Sequence, residues 1–157
     1  MSKTITISEN KNLKLTNVVI REINFEEDIE LNTVVLQMEN YIKAKGAVPL
    51  GPLVQKTVYS IDDTGQLDIH MYIMRQANNF INNVESPYTT EAVLRVKNCM
   101  YARYIGPEEN LKFAYDKINV TAFEEDIELS NENYTIFVDQ QDDEIIADIF
   151  VEKKSNE

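Results

Sequence analysis

Apolar and polar positions along the chain change period several times, and each change marks an element. Residues 13–24 (LKLTNVVIREIN) are dense in β-branched and apolar side chains and read as a strand. Beyond them the period lengthens: Leu31, Val34, Val35, Met38, Tyr41 and Ile42 recur at the spacing of one buried helical stripe. Asn24 with Glu27 three residues later is a helix-start signature, and the acids at 26–28 suit the positive end of a helix dipole. Lys43, Lys45 and Gly46 supply the stop, basic charge followed by a glycine. Strand-like runs return at 53–61 (LVQKTVYSI) and 66–75 (QLDIHMYIMR), on either side of the hairpin-type turn Asp62-Asp63-Thr64-Gly65.

The segment 76–90 (QANNFINNVESPYTT) is polar and Asn-rich, and reads as the connection between two halves. The second half repeats the order. Residues 91–105 predict a long strand with room for a bend, and Gly106-Pro107-Glu108-Glu109 opens a helix at a position where proline's missing N–H costs nothing. Its stripe is Leu111, Ala114, Tyr115 and Ile118; residues 123–133 lead out of it. Strands at 134–139 and 144–151 then enclose an acidic turn, and the charged tail 152–157 is expected to fray. The expectation is β-α-β-β twice within one domain, 1–157, with halves at about 13–75 and 91–152. The halves stand about 80 residues apart, pairing Leu31 with Leu111, Met38 with Ile118 and Asp68 with Asp148. The identical heptapeptides FEEDIEL at 25–31 and 123–129 do not share that offset, and are read as coincidence: the first opens a helix and the second follows one.

Composition narrows the function. The 157 residues are 43% hydrophobic, enough for a core, with 15 basic against 27 acidic side chains and a net charge of −12. Direct nucleic-acid binding needs Lys and Arg gathered on a face, and an anionic membrane surface would repel this chain. No apolar run approaches the ~20 residues of a membrane span, and the opening MSKTITI is too short and polar for a signal peptide. One cysteine forms no internal disulfide. The expectation is a cytoplasmic protein. There is no Gly-rich phosphate loop and no multi-histidine set, so no cofactor or metal is expected, and no nucleophile motif marks an enzyme.

Candidate chemistry comes from strand alternation. In 144–151, Ile145, Ala147, Ile149 and Val151 form an all-apolar face suited to packing under helices, leaving Ile146, Asp148 and Phe150 on the other. Between apolar neighbours, Asp148 would have a raised pKa or recruit a cation, unless that face is open to water. Phe150 beside it suits a flat cation. The corresponding strand of the first half places Asp68, His70, Tyr72 and Met74 on one face, with His70 the single histidine. Cys99 reads as a small buried hydrophobe. The acids around 139–144 lack the spacing and glycine of a calcium loop, and read as a solvated hairpin tip.

Three segments carry a resemblance: Tyr101-Ala102-Arg103-Tyr104-Ile105-Gly106-Pro107, the helix run Leu111-Lys112-Phe113-Ala114-Tyr115, and Asp148-Ile149-Phe150 in the closing strand. Together with the repeated β-α-β-β order they resemble the GyrI-like family, which includes effector-binding domains of multidrug-sensing transcription regulators. The resemblance covers most of residues 13–152. It implies an α+β fold with one antiparallel sheet, two helices on one face and a concave cleft on the other, where a buried acid pairs with cationic aromatic ligands. Asp148 stands where the family usually has Glu, Tyr104 where many members have His, and Lys153 where proline often follows. No DNA-binding helices precede the fold in this sequence, so the resemblance implies a stand-alone version.

The expected function is non-enzymatic binding of a small, cationic or aromatic effector, with Asp148 supplying charge and Phe150, Tyr72, His70 and Tyr101 shaping the walls. The alternative is a protein-binding adaptor, inhibitor or chaperone for a basic partner, such as a secreted toxin of a Gram-positive bacterium. The charge of −12 favours steered association with such a partner, and segment 76–90 is its candidate docking loop.

Overall fold

In a computed structural model, residues 4–23 and 30–154 are described. The elements in chain order are β1 (Thr4–Ile23), α1 (Leu31–Ala44), β2 (Pro49–Ile61), β3 (Leu67–Ala77), β4 (Tyr88–Gly106), α2 (Lys112–Glu124), β5 (Leu129–Gln141) and β6 (Glu144–Lys153). The strands pair in the order β1-β3-β2-β5-β6-β4, every pair antiparallel, and β4 pairs back onto β1 to close a ring. The structure is α+β, with both helices on the outer face and the concave face inside.

Closure depends on β1 and β4, which run 20 and 19 residues and pair with each other along most of their length. Strands this long must bend to stay in a ring. Asn17 and Asn98 take left-handed backbone angles, φ 50° and 56°, which asparagine tolerates better than other side-chain-bearing residues. Each shifts the phase of the alternation: Leu13 and Leu15 face inward before Asn17, Val18 and Ile20 after it; Leu94 and Val96 before Asn98, Cys99 and Tyr101 after it. The Asn98 backbone N–H donates to Asn12 Oδ1 at 3.1 Å, and Asn17 Nδ2 donates to the Ala77 carbonyl at 3.3 Å.

Three apolar clusters follow. Outside, α1 buries Val34, Met38 and Ile42 against Val19, Ile73, Ala77 and Tyr88. α2 buries Ala114, Ile118 and Ala122 against Met100, Ala102, Tyr104, Ile145, Ala147 and Ile149. Inside, all six strands contribute to one cluster that includes Leu13, Val18, Val54, Met74, Leu94, Tyr134 and Phe150. The all-apolar face read in the closing strand therefore lies under α2 as expected, and Asp148 and Phe150 face inward.

Several boundaries differ from the sequence reading. The Asn24–Glu27 helix-start signature lies outside the described residues; the described helix begins at Leu31, where the Glu30 carbonyl accepts from the Thr33 and Val34 N–H groups. Its stripe is narrower than six residues, since Leu31 is 41% exposed. β1 starts at Thr4 and β5 at Leu129, both earlier than predicted, because their polar residues alternate against long partner strands. Gly46, at φ +85°, ends α1 as its position suggested. The equal offset of about 80 residues fails at the last strand. By register, Met74 and Phe150 occupy matching places, opposite Ile20 and Tyr101 respectively, so Tyr72 rather than Asp68 corresponds to Asp148. The cause is local: the β2–β3 turn spans 62–66 but the β5–β6 turn only 142–143, and β5 carries a bulge between Phe137 and Asp139.

The packing makes a direct stability prediction. Ile149→Ala, at a position with no solvent exposure beneath α2, should lower the unfolding free energy by ~2–5 kcal/mol in urea denaturation. Leu36→Ala, at a position 57% exposed on α1, should change it by less than ~1 kcal/mol.

Candidate functional site

Residues directly opposite each other on paired strands share a face, so the register can be followed around the ring. One inward row reads Glu22 on β1, Tyr72 on β3, Lys56 on β2, Tyr134 on β5, Phe150 on β6, Tyr101 on β4 and Ser8 back on β1. The next reads Met74, Val54, Ile136, Asp148, Arg103 and Thr6. On the other side of the first row lie His70, Val58 and Glu132. Four aromatic rings therefore share a single row of the concave face, flanked by a carboxylate on either side.

Each carboxylate already holds a cation from the chain itself. Asp148, with a side chain 14% exposed, accepts two hydrogen bonds from the Arg103 guanidinium, Nε to Oδ1 at 2.8 Å and Nη2 to Oδ2 at 2.9 Å. The Tyr101 hydroxyl donates to Oδ1 at 2.8 Å. Planar fork meets planar carboxylate, the geometry in which arginine binds most firmly. This carboxylate raises the Arg103 pKa, and burial followed by the same carboxylate raises that of Tyr101. Arg103, opposite Asp148 on β4, therefore already occupies the position where a ligand cation was expected. Phe150 packs on Tyr101, ring centroids 5.1 Å apart and tilted by 51°.

The second pair is looser. Lys56 Nζ lies 5.7 Å from the centre of the Tyr72 ring and 5.5 Å from that of Tyr134, and 3.1 Å from Glu132 Oε1. Burial acts to lower the lysine pKa, but the neighbouring Tyr134 and Glu132 outweigh it and the net shift is upward. The Tyr134 hydroxyl is pushed up in turn, chiefly by burial. Lys56, Glu132 and Tyr134 were not singled out in the sequence, although the alternation Val54-Lys56-Val58 on a strand paired to Tyr72 and Met74 carries the signal for Lys56.

His70 shares the inward face but stands at its rim, with Nδ1 3.1 Å from Glu22 Oε2 and Nε2 3.1 Å from Asp68 Oδ2. Of the five residues picked from sequence, Tyr101 contacts both Asp148 and Phe150, Tyr72 stands across the row beside Lys56, and His70 sits with its own two carboxylates. Cys99 is fully buried inside the ring, where burial and then Glu152 push its thiol up to about 11. On the outer side a pocket of about 210 Å³, lined by Tyr59, Tyr115, Asn119, Asn131, Glu132 and Asn133 among others, contains none of the five site residues picked from sequence. The acidic residues at 142–143 form the β5–β6 turn.

Neither a protein-family model nor a curated protein sequence matches the chain. Solved structures do. The crystal structure of the EcmrR C-terminal domain is similar over 99% of this chain and 100% of that one, with a TM-score of 0.63 and 18% identity. The cryo-EM structure of an EcmrR–DNA complex in EcmrR-RPo is similar over 97% of this chain, with a TM-score of 0.61 and 19% identity. This chain spans 58% of the length of the EcmrR chain in that complex. At such identities the likeness establishes the fold, and the resemblance to GyrI-like effector-binding domains holds at that level.

The rim cluster sets a pH expectation. Glu22 first, then Asp68, favours the protonated imidazole and raises the His70 pKa above its ordinary 6.5. A group with a raised folded-state pKa contributes stability that is complete below the unfolded value and lost as pH rises through the folded one. NMR titration of the single histidine should give a midpoint above 6.5, and Glu22→Gln and Asp68→Asn should each bring it down. An unchanged midpoint in both variants would separate His70 from these partners.

Proposed function

We propose that the chain is a non-enzymatic binding domain for a small, flat organic cation, held on the concave face. The observation that carries this reading is the single inward row of Tyr72, Tyr134, Phe150 and Tyr101, with Asp148 on one side and Glu132 on the other. Aromatic faces present negative potential, and a carboxylate beside them supplies the charge, which is the chemistry that recognises flat or alkylated cations. The GyrI-like resemblance implies the same ligand class, and the EcmrR structures share the fold. Tyr101 positions Asp148 by its hydrogen bond, while Arg103 neutralises the carboxylate in the absence of a ligand.

One observation favours a second reading, docking of a basic protein partner. Tyr59, Ile61, Leu67 and Ile69 are exposed on the outer side of the β2–β3 hairpin, where Tyr59 faces Ile69 and Ile61 faces Leu67 across the strands. An apolar patch on a chain of net charge −12 suits a partner with apolar contacts and a basic surround. The docking-loop role of segment 76–90 belongs to this reading, restricted to 78–87, since 76–77 close β3 and 88–90 open β4.

A panel of planar aromatic cations, titrated by fluorescence or calorimetry, tests the first reading. Asp148→Asn and Tyr134→Ala should each weaken binding of a responding cation tenfold or more, ~1.4 kcal/mol per factor of ten, whereas Tyr59→Ala on the outer face should leave it unchanged. Loss on Tyr59→Ala with no effect of the inner variants would contradict it.

A further inference from the structure

The two internal cations of the concave face are held in different ways, and the difference assigns them different roles. Arg103 donates two parallel hydrogen bonds from its planar fork to the Asp148 carboxylate. Lys56 has one carboxylate contact, to Glu132 at 3.1 Å, and otherwise rests between two tyrosine rings at 5.7 and 5.5 Å. Both ring distances fall within the ~6 Å over which an ammonium is attracted to an aromatic face. Two rings and a carboxylate around one nitrogen form a cage suited to an alkylammonium. We propose that Lys56 is the resident occupant of a ligand subsite, and that an organic ammonium ion binds by displacing the lysine from between Tyr72 and Tyr134. This rests on the small-cation reading above and deepens it, naming the ligand class as ammonium and the residue that competes with it.

Three features support displacement over a permanent structural role. The Lys56 side chain is 22% exposed and that of its partner Glu132 35%, so the pair is not sealed inside the ring. A lysine stem is flexible and can swing its head outward while its methylenes stay on the apolar surface. The site in the other half that matches Lys56 by register, opposite the strand position of Asp148, is Ile136, so the fold itself does not require a cation there. Displacement also leaves compensated charges: the incoming ammonium takes over Glu132, and the released lysine regains water. Affinity for an ammonium ligand is therefore the difference between two cations in the same cage, and Lys56 sets a threshold that a weakly bound monocation does not pass. The lysine acts as a specificity-determining residue without itself contacting the bound ligand's charge.

The test uses benzyltrimethylammonium as the probe and the full chain. Lys56→Met keeps the length of the stem and removes the ammonium; it should bind the probe at least tenfold more tightly than wild type, and adding Tyr134→Ala should abolish the gain. Lys56→Arg should show no gain. Equal affinity of wild type and Lys56→Met would overturn the displacement proposal while leaving the concave-face reading to the planar-cation panel. Failure of a folded Lys56→Met to bind the probe would overturn it as well, since an empty cage with a carboxylate should accept the ion. A readout on wild type makes the test independent of how the variant folds. The Lys56 ε-CH₂ proton resonance should lie upfield through the ring currents of Tyr72 and Tyr134, and should move to the value of a solvated lysine as the probe saturates. A resonance that stays in place at saturation would overturn the proposal.

Discussion

Closure of six strands into one antiparallel ring is the constraint on which the rest of the structure depends. Because β4 pairs back onto β1, strand residues alternate between the outer side, where the helices pack, and the shared concave side. Where α1 and α2 cover the outer face it is packed with apolar side chains. The inner face can be covered only by its own side chains or by a ligand. A charge placed there needs a partner on a neighbouring strand, because withdrawing an unpaired ion from water is costly. Arg103 meets this need at Asp148 and Lys56 at Glu132, so each of these two acids is balanced by a cation.

The balance is built from unlike parts, and that asymmetry links fold to function. On the β4–β6 side the bidentate arginine and the Tyr101 hydroxyl hold the carboxylate in one orientation, and Phe150 packs against the Tyr101 ring. On the β2–β5 side a flexible lysine sits between tyrosines with one carboxylate contact. On the proposed reading, the first arrangement preorganises a wall and the second fills a space with a group that can leave. Preorganisation lowers the ordering cost of binding, and a replaceable occupant keeps the face paired when no ligand is present.

Much of the fold was legible in the sequence because local signals agreed with one another. Helical spacing from Val34 to Ile42, the Asp62–Gly65 turn, Pro107 before a helix and the alternation Ile145-Ala147-Ile149-Val151 each pointed to the element now seen. The illegible parts depended on distant pairing. Thr4 to Asn12 carries too few apolar residues to read as strand, but β4 supplies a partner along it. The equal spacing of the halves failed at Tyr72 because a shorter turn and a bulge in the second hairpin are invisible until the strands are in register. The candidate site divides in the same way. Asp148, Phe150 and Tyr101 followed from alternation and resemblance, whereas the cations beside the acids could not, since Lys56 and Glu132 lie 76 positions apart and meet only through the β2–β5 ladder.

The central claim is that the concave face, rather than the outer hairpin or the pocket beside α2, receives the ligand. Mapping amide and aromatic chemical-shift changes on addition of a planar aromatic cation tests it most directly. The account predicts changes centred on Tyr72, Tyr134, Phe150 and Tyr101, with intermolecular nuclear Overhauser contacts to their rings. Changes centred instead on Tyr59, Ile61, Leu67 and Ile69, or on Tyr115 and Asn119, would contradict it.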